Sequence, residues 1–119
     1  MLCLALSVAV HAQTLIVAIG ASNVAGKGVS GSQAWPAQLE GMLRAQGYDV
    51  RIKNEGKSGD TTAGMLHRVV FAVPSTTKIV ILDMFGGYYN NRKLTAASRA
   101  RGPADMHEIE ARLRSRGSS

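Results

Sequence analysis

Ser22 stands directly after an apolar run, Leu15 to Ile19, in the loop Gly20-Ala21-Ser22-Asn23. A serine at the carboxyl end of a buried strand occupies the edge where open α/β sheets bind their ligands. Its hydroxyl becomes a nucleophile only when a general base and an oxyanion hole are brought to it. Candidates for the base are few. The histidines are His11, His67 and His107. His11 falls in an apolar leader and His67 in a helical stretch, where a surface or half-buried histidine is the ordinary reading. Asp105-Met106-His107 reads as a helix start, with Asp105 favourable against the helix dipole. None of the three is assigned as a base. Asp60 and Asp83 are isolated carboxylates without metal-ligand spacing, and Asp83 either lines a site or caps a loop. The only cysteine, Cys3, lies in the leader, so cysteine catalysis, disulfides and zinc fingers are excluded from the rest of the chain.

Two glycine-rich segments imitate phosphate loops and fail. Gly26-Lys27 needs a glycine at position 21 and a hydroxyl residue at 28, where the chain has Ala21 and Gly28. Gly56-Lys57-Ser58 has the right ending but Arg51 in place of the first glycine. No Gly-x-Gly-x-x-Gly is present, so no dinucleotide or other cofactor is expected, and no metal.

Positioning Ser22 needs a sheet. Thr14 to Ile19 is unbroken and apolar, which predicts a parallel strand covered on both faces. Gly20 to Ser32 reads as a loop. A helix begins at Ala34-Trp35-Pro36, with Trp35, Leu39, Met42 and Leu43 on one apolar face and Gly47 as its stop. Tyr48 to Lys53 alternates as a second strand. Asp60 or Thr61 caps a second helix through Met65 to about Val70. Lys78 to Met84 is a third strand, broken by Gly86-Gly87. Pro103 to Arg116 is a third helix with Met106, Ile109 and Leu113 on one face. The order βαβαβα predicts an α/β fold: a three-layer αβα, flavodoxin-like parallel sheet with right-handed crossovers, apparently truncated after three strands. In strand order 2-1-3 the third strand is an apolar open edge, which invites self-association.

The 119 residues suffice for one core, and 45% of them are hydrophobic, which argues against disorder. Residues 1–12 read as a signal peptide: an apolar stretch from Leu2 to Val10, then Val10-His11-Ala12 before Gln13. The other reading is a first strand extended backwards. As a signal it implies a periplasmic or secreted chain, and it is too short to span a bilayer, so no stable membrane insertion is expected. The formal net charge is +6, and seven of the 14 basic residues lie between Arg92 and Arg116. No aromatic residues interleave them as stacking platforms, so they read as a solvated helix face and not a nucleic-acid surface.

Gly20-Ala21-Ser22-Asn23 after a strand, followed by Asn54-Glu55-Gly56-Lys57-Ser58-Gly59-Asp60-Thr61-Thr62, resembles the first two blocks of the SGNH hydrolases, also called GDSL esterases. Trp35-Pro36 with Leu39 is similar to the helix that follows the family's nucleophile. The likeness covers about residues 14–87, the amino-terminal part of such a domain, so residues 13–119 are expected to form a partial domain of this kind. Alanine stands where the family's first block has aspartate.

This resemblance implies that Ser22 is the nucleophile and that the Ser22 and Gly59 amides are oxyanion-hole donors. A third donor, an asparagine, is implied after the third strand. There the chain has Gly86-Gly87-Tyr88-Tyr89-Asn90-Asn91; Asn90 fills the place if two residues are inserted, and Tyr88 is the gapless alternative. The family's terminal Asp-x-x-His has no counterpart. The implied activity is hydrolysis of small-molecule acyl esters or thioesters (esterase, lipase, thioesterase or lysophospholipase), impaired here for want of that block. The alternative is a non-catalytic relative that binds a ligand.

Overall fold

The computed structural model describes residues 13–117. The expected signal peptide, Cys3 and His11 lie outside the described residues. Three parallel strands form one sheet in the order β2-β1-β3: β1 is Thr14–Gly20, β2 Val50–Gly56 and β3 Ile79–Leu82. Thr14 pairs with Val50 and Gly20 with Gly56, while Ile16 pairs with Ile79 and Ile19 with Leu82. Side chains on β1 alternate between two cores, as strand geometry requires. Val17 and Ile19 pack with Met65, Val69, Ile109 and Leu113 on one face. Ile16 and Ala18 pack with Val50, Ile52, Trp35, Leu39 and Leu43 on the other. That is why the run carries no polar alternation: each face has its own helical layer, and the fold is the expected three-layer α/β sandwich.

Helix α2, Trp35–Ala45, supplies one layer, with Pro36 in its first turn. Its end is a Schellman turn: Tyr48 N–H donates to Leu43 O at 3.1 Å, Gly47 N–H to Arg44 O at 3.0 Å, and Gly47 is left-handed. That turn uses the Tyr48 amide, so β2 starts at Val50 and not at Tyr48, which is exposed. β2 also runs three residues beyond Lys53, through Asn54-Glu55-Gly56, because β1 offers it a ladder up to Gly20. Met42 is exposed as well. The stripe of α2 that packs on the sheet is Trp35, Leu39 and Leu43, each partly buried, and Pro36 in the first turn is buried.

The opposite layer is α3, Thr62–Ala72, and α5, Ala96–Ser115. Thr61, not Asp60, caps α3: its hydroxyl accepts from Gly64 N–H at 3.0 Å. Helix α5 starts seven residues before Pro103, capped by Thr95, whose hydroxyl accepts from Ser98 N–H at 3.1 Å. The proline therefore lies inside the helix. Asp105 is likewise not a helix start; it is buried in mid-helix, accepting from Thr62 Oγ1 at 2.7 Å.

Two further helical segments replace expected loops. A single turn, α1, spans Ser22–Ala25. Phe85–Asn91 forms α4, so Gly86-Gly87 does not break the chain but lies within a helix. A Cβ on Gly86 would sit 2.5 Å from Ala21 Cβ. The glycine is there to let α4 approach the loop after β1, a tertiary requirement that mimics a turn signal in sequence.

Candidate active site

The carboxyl edge of the sheet opens into a cleft of about 430 Å³. Ser22, Gly59 and Asn90 all line it, from three segments that are remote in sequence. Ser22 arrives as the first residue of α1, immediately beyond β1. Its carbonyl accepts from both Gly26 N–H and Lys27 N–H at 3.0 Å, closing the turn. Gly59 follows β2 in a tight turn closed by Asp60 N–H on Lys57 O at 3.1 Å. Its φ is +80°, a conformation glycine adopts without steric cost.

Asn90 is 9% exposed. Its side-chain Nδ2 donates to the Asp60 carbonyl at 2.7 Å, tying α4 to the loop that carries Gly59. A primary amide has two N–H donors, and one such bond leaves the other for a ligand. Helix period explains the choice between the two sequence candidates. Gly86, Tyr89, Asn90 and Lys93 recur at helical spacing and share the cleft side. Tyr88 points the other way, its ring against Gly102 and the α3–α5 core, and does not line the cleft.

Five polar side chains, Arg68, Asp60, Asn54, Asn23 and Asp83, hold this edge together. Arg68, on α3, donates from Nη2 to Gly20 O at 3.0 Å and from Nη1 to Glu55 O at 2.9 Å. Its Nε donates to Asp60 Oδ2 at 2.6 Å, an ion pair with both partners largely buried. Asn54 donates to Val24 O at 2.8 Å and accepts from Gly56 N–H at 2.8 Å, fastening α1 to β2. Asp83 accepts from the Asn23 side chain and from Phe85 N–H at 3.1 Å. It therefore starts α4 and braces α1 without lining the cleft. Arg68 was invisible in sequence: a lone helix arginine carries no local sign of partners 48 residues away. Among the described residues the histidines give no base, since His67 and His107 are both exposed and neither lines the cleft.

A serine at the carboxyl edge of a three-layer parallel sheet, sharing one cleft with a glycine turn and an asparagine side chain, defines the class as an α/β protein with its cleft at that edge. Comparison with known proteins agrees. The chain is 36% identical over 95 residues to Esterase TesA of Pseudomonas aeruginosa, a match that covers 80% of this chain and 47% of that protein. AlinE4, described as an SGNH-hydrolase family esterase, superposes with a TM-score of 0.75 at 32% identity, over 91% of this chain and 57% of its own. A crystal structure of TesA superposes with a TM-score of 0.74 at 31% identity, over 90% of this chain and 57% of its own. No protein-family model matches the chain. The chain is a relative of the SGNH hydrolases and corresponds to their amino-terminal part. It spans about half the length of the curated relative it matches.

Proposed function

We propose that the cleft is the acyl-transfer site of a serine hydrolase acting on carboxylic or thioester bonds, impaired in this chain because, among the described residues, no histidine lines the cleft as a base. Ser22 Oγ attacks the acyl carbon. The carbonyl oxygen takes up negative charge and is received by the Ser22 and Gly59 amides and the Asn90 side chain. The carbon–heteroatom bond of the leaving group then breaks, and water hydrolyses the acyl-serine and regenerates the hydroxyl. Each oxyanion donor is typically worth about a hundred- to a thousandfold in rate. Among the described residues no histidine lines the cleft to accept the hydroxyl proton, so the first step is slow. The observation that carries this reading is that one cleft gathers Ser22, Gly59 and Asn90 from three different segments.

The test is turnover of p-nitrophenyl acetate by the purified chain and by Ser22→Ala. Little or no turnover above buffer is expected from either. Robust turnover abolished in the variant would refute the impairment and keep the serine; robust turnover unchanged in it would refute the serine's role. The second reading, a non-catalytic relative that binds acyl ligands, is favoured by the same missing base. Residues 1–12, read as a signal peptide, assign the chain to the periplasm or the exterior.

Self-association through β3 belongs to the same proposal. The outer edge of β2 is occupied by side chains: Ile52 N–H donates to Glu40 at 2.7 Å, and Arg44 donates to Val50 O at 2.8 Å. Among the described residues no side chain does this for β3, and Ile79 on it is 42% exposed. An apolar strand edge with free backbone groups pairs readily with another strand.

A further inference from the structure

We propose that the cleft selects ligands that carry an anionic group beside an apolar or aromatic portion. This rests on reading the same cleft as the acyl-transfer site and adds the substrate class. Lys27 follows α1 and Lys93 follows α4, and the two ammonium-bearing side chains line the cleft together from segments remote in sequence. No carboxylate lines it with them. Neither lysine forms an ion pair among the described residues. The nearest acidic groups are turned to other work: Asp60 is paired with Arg68, and Asp83 accepts from Asn23 and Phe85. A concave site lined by charges of one sign concentrates their field on an entering ion.

The apolar half is also built. Phe85 and Tyr89 line the cleft, stack with ring centroids 6.5 Å apart at 19°, and remain 75% and 51% exposed. Lys93 Nζ lies 4.7 Å from the Tyr89 ring centroid. That cation–π contact holds the ammonium at the aromatic wall and does not neutralise it, because a ring contributes no charge. Two neighbouring exposed rings and two cations without an ion pair among the described residues are what an aryl or alkyl phosphate, or the equivalent carboxylate, would satisfy at once. An exposed apolar patch rimmed by polar groups is the usual mark of a ligand-binding groove.

The test is a titration of the full chain followed through backbone amide resonances, with phenyl phosphate, inorganic phosphate and benzyl alcohol as probes. Phenyl phosphate is expected to shift the Ser22, Gly59, Gly86 and Asn90 amides at lower concentration than either fragment. The double variant Lys27→Gln/Lys93→Gln is expected to weaken phenyl phosphate about tenfold, taking about two- to fivefold per solvent-exposed charge pair, and to leave benzyl alcohol unchanged. In the wild type, raising salt to about 0.5 M should weaken phenyl phosphate and not benzyl alcohol, a reading that needs no variant to fold. The proposal is overturned if benzyl alcohol or inorganic phosphate alone binds as tightly as phenyl phosphate, if neither the variant nor salt matters, if the shifts lie away from the cleft, or if no probe binds. None of these outcomes touches the role of Ser22 in acyl transfer, which is measured separately.

Discussion

The Arg68 guanidinium donates to the Gly20 carbonyl at 3.0 Å, joining residues 48 apart in the chain. Gly20 closes β1 and lies two residues before Ser22. The same guanidinium reaches Glu55 O at the end of β2 and the Asp60 carboxylate beside Gly59. One side chain thus ties both strand ends that carry the cleft to helix α3. Removing it leaves the buried Asp60 carboxylate without its cation. Arg68→Ala is expected to cost about 2 kcal/mol, below the full figure for a buried pair because Arg68 keeps some solvent contact. Arg68→Lys should recover only part, since an ammonium cannot reproduce the planar fork. Urea unfolding at equilibrium measures both.

Asn90 and Tyr88 have opposite roles, and their variants separate them. Asn90→Ala removes a buried hydrogen bond to Asp60 O. It should cost about 1–2 kcal/mol and broaden or shift the Gly59 amide resonance. Tyr88→Phe keeps the ring against Gly102 and should leave the cleft amides in place. A Gly59 resonance indifferent to Asn90→Ala would show that α4 does not hold the turn.

Helix α5 is bound to α3 by a buried polar contact. Thr62 Oγ1 donates to Asp105 Oδ2 at 2.7 Å and accepts from Asn91 Nδ2 at 2.7 Å, while Arg101 approaches the other carboxylate oxygen at 3.8 Å. Asp105→Ala strands the Thr62 hydroxyl and opens a small void. It is expected to cost about 2–3 kcal/mol, read as a fall in thermal midpoint. Asp105→Asn retains an acceptor oxygen and should cost less than half as much.

The unprotected edge of β3 gives a hydrodynamic prediction. Light scattering across a concentration series should show growth from monomer to larger species. Ile79→Lys places a charge on the exposed end of β3, which discourages strand pairing, and should return the chain to monomer. A wild-type chain that stays monomeric at every concentration would remove the self-association reading.

Local signals in the sequence determined the layers and their order. An unbroken apolar β1, an apolar helix face through Trp35, Leu39, Met42 and Leu43, and a cap at Asp60 or Thr61 each follow from steric and hydrophobic rules acting over a few residues, and the α/β architecture follows from their order; the structure exposed Met42 and chose Thr61. The Ser22 loop and the Gly59 turn stood out through their resemblance to two short SGNH hydrolase blocks, each after a strand, and both line the cleft. Tertiary structure decided the rest. It extended β2 through Asn54-Glu55-Gly56 because a neighbouring ladder was available. Gly86 and Gly87 became helical because close packing, not a turn, needs them. It placed Asn90 and not Tyr88 at the cleft, and enlisted Arg68 and Lys93 for an edge that their own neighbours in sequence never mention. These outcomes depend on atoms brought together from distant parts of the chain, and a hydrogen bond or a charge pair across that distance leaves no periodicity behind.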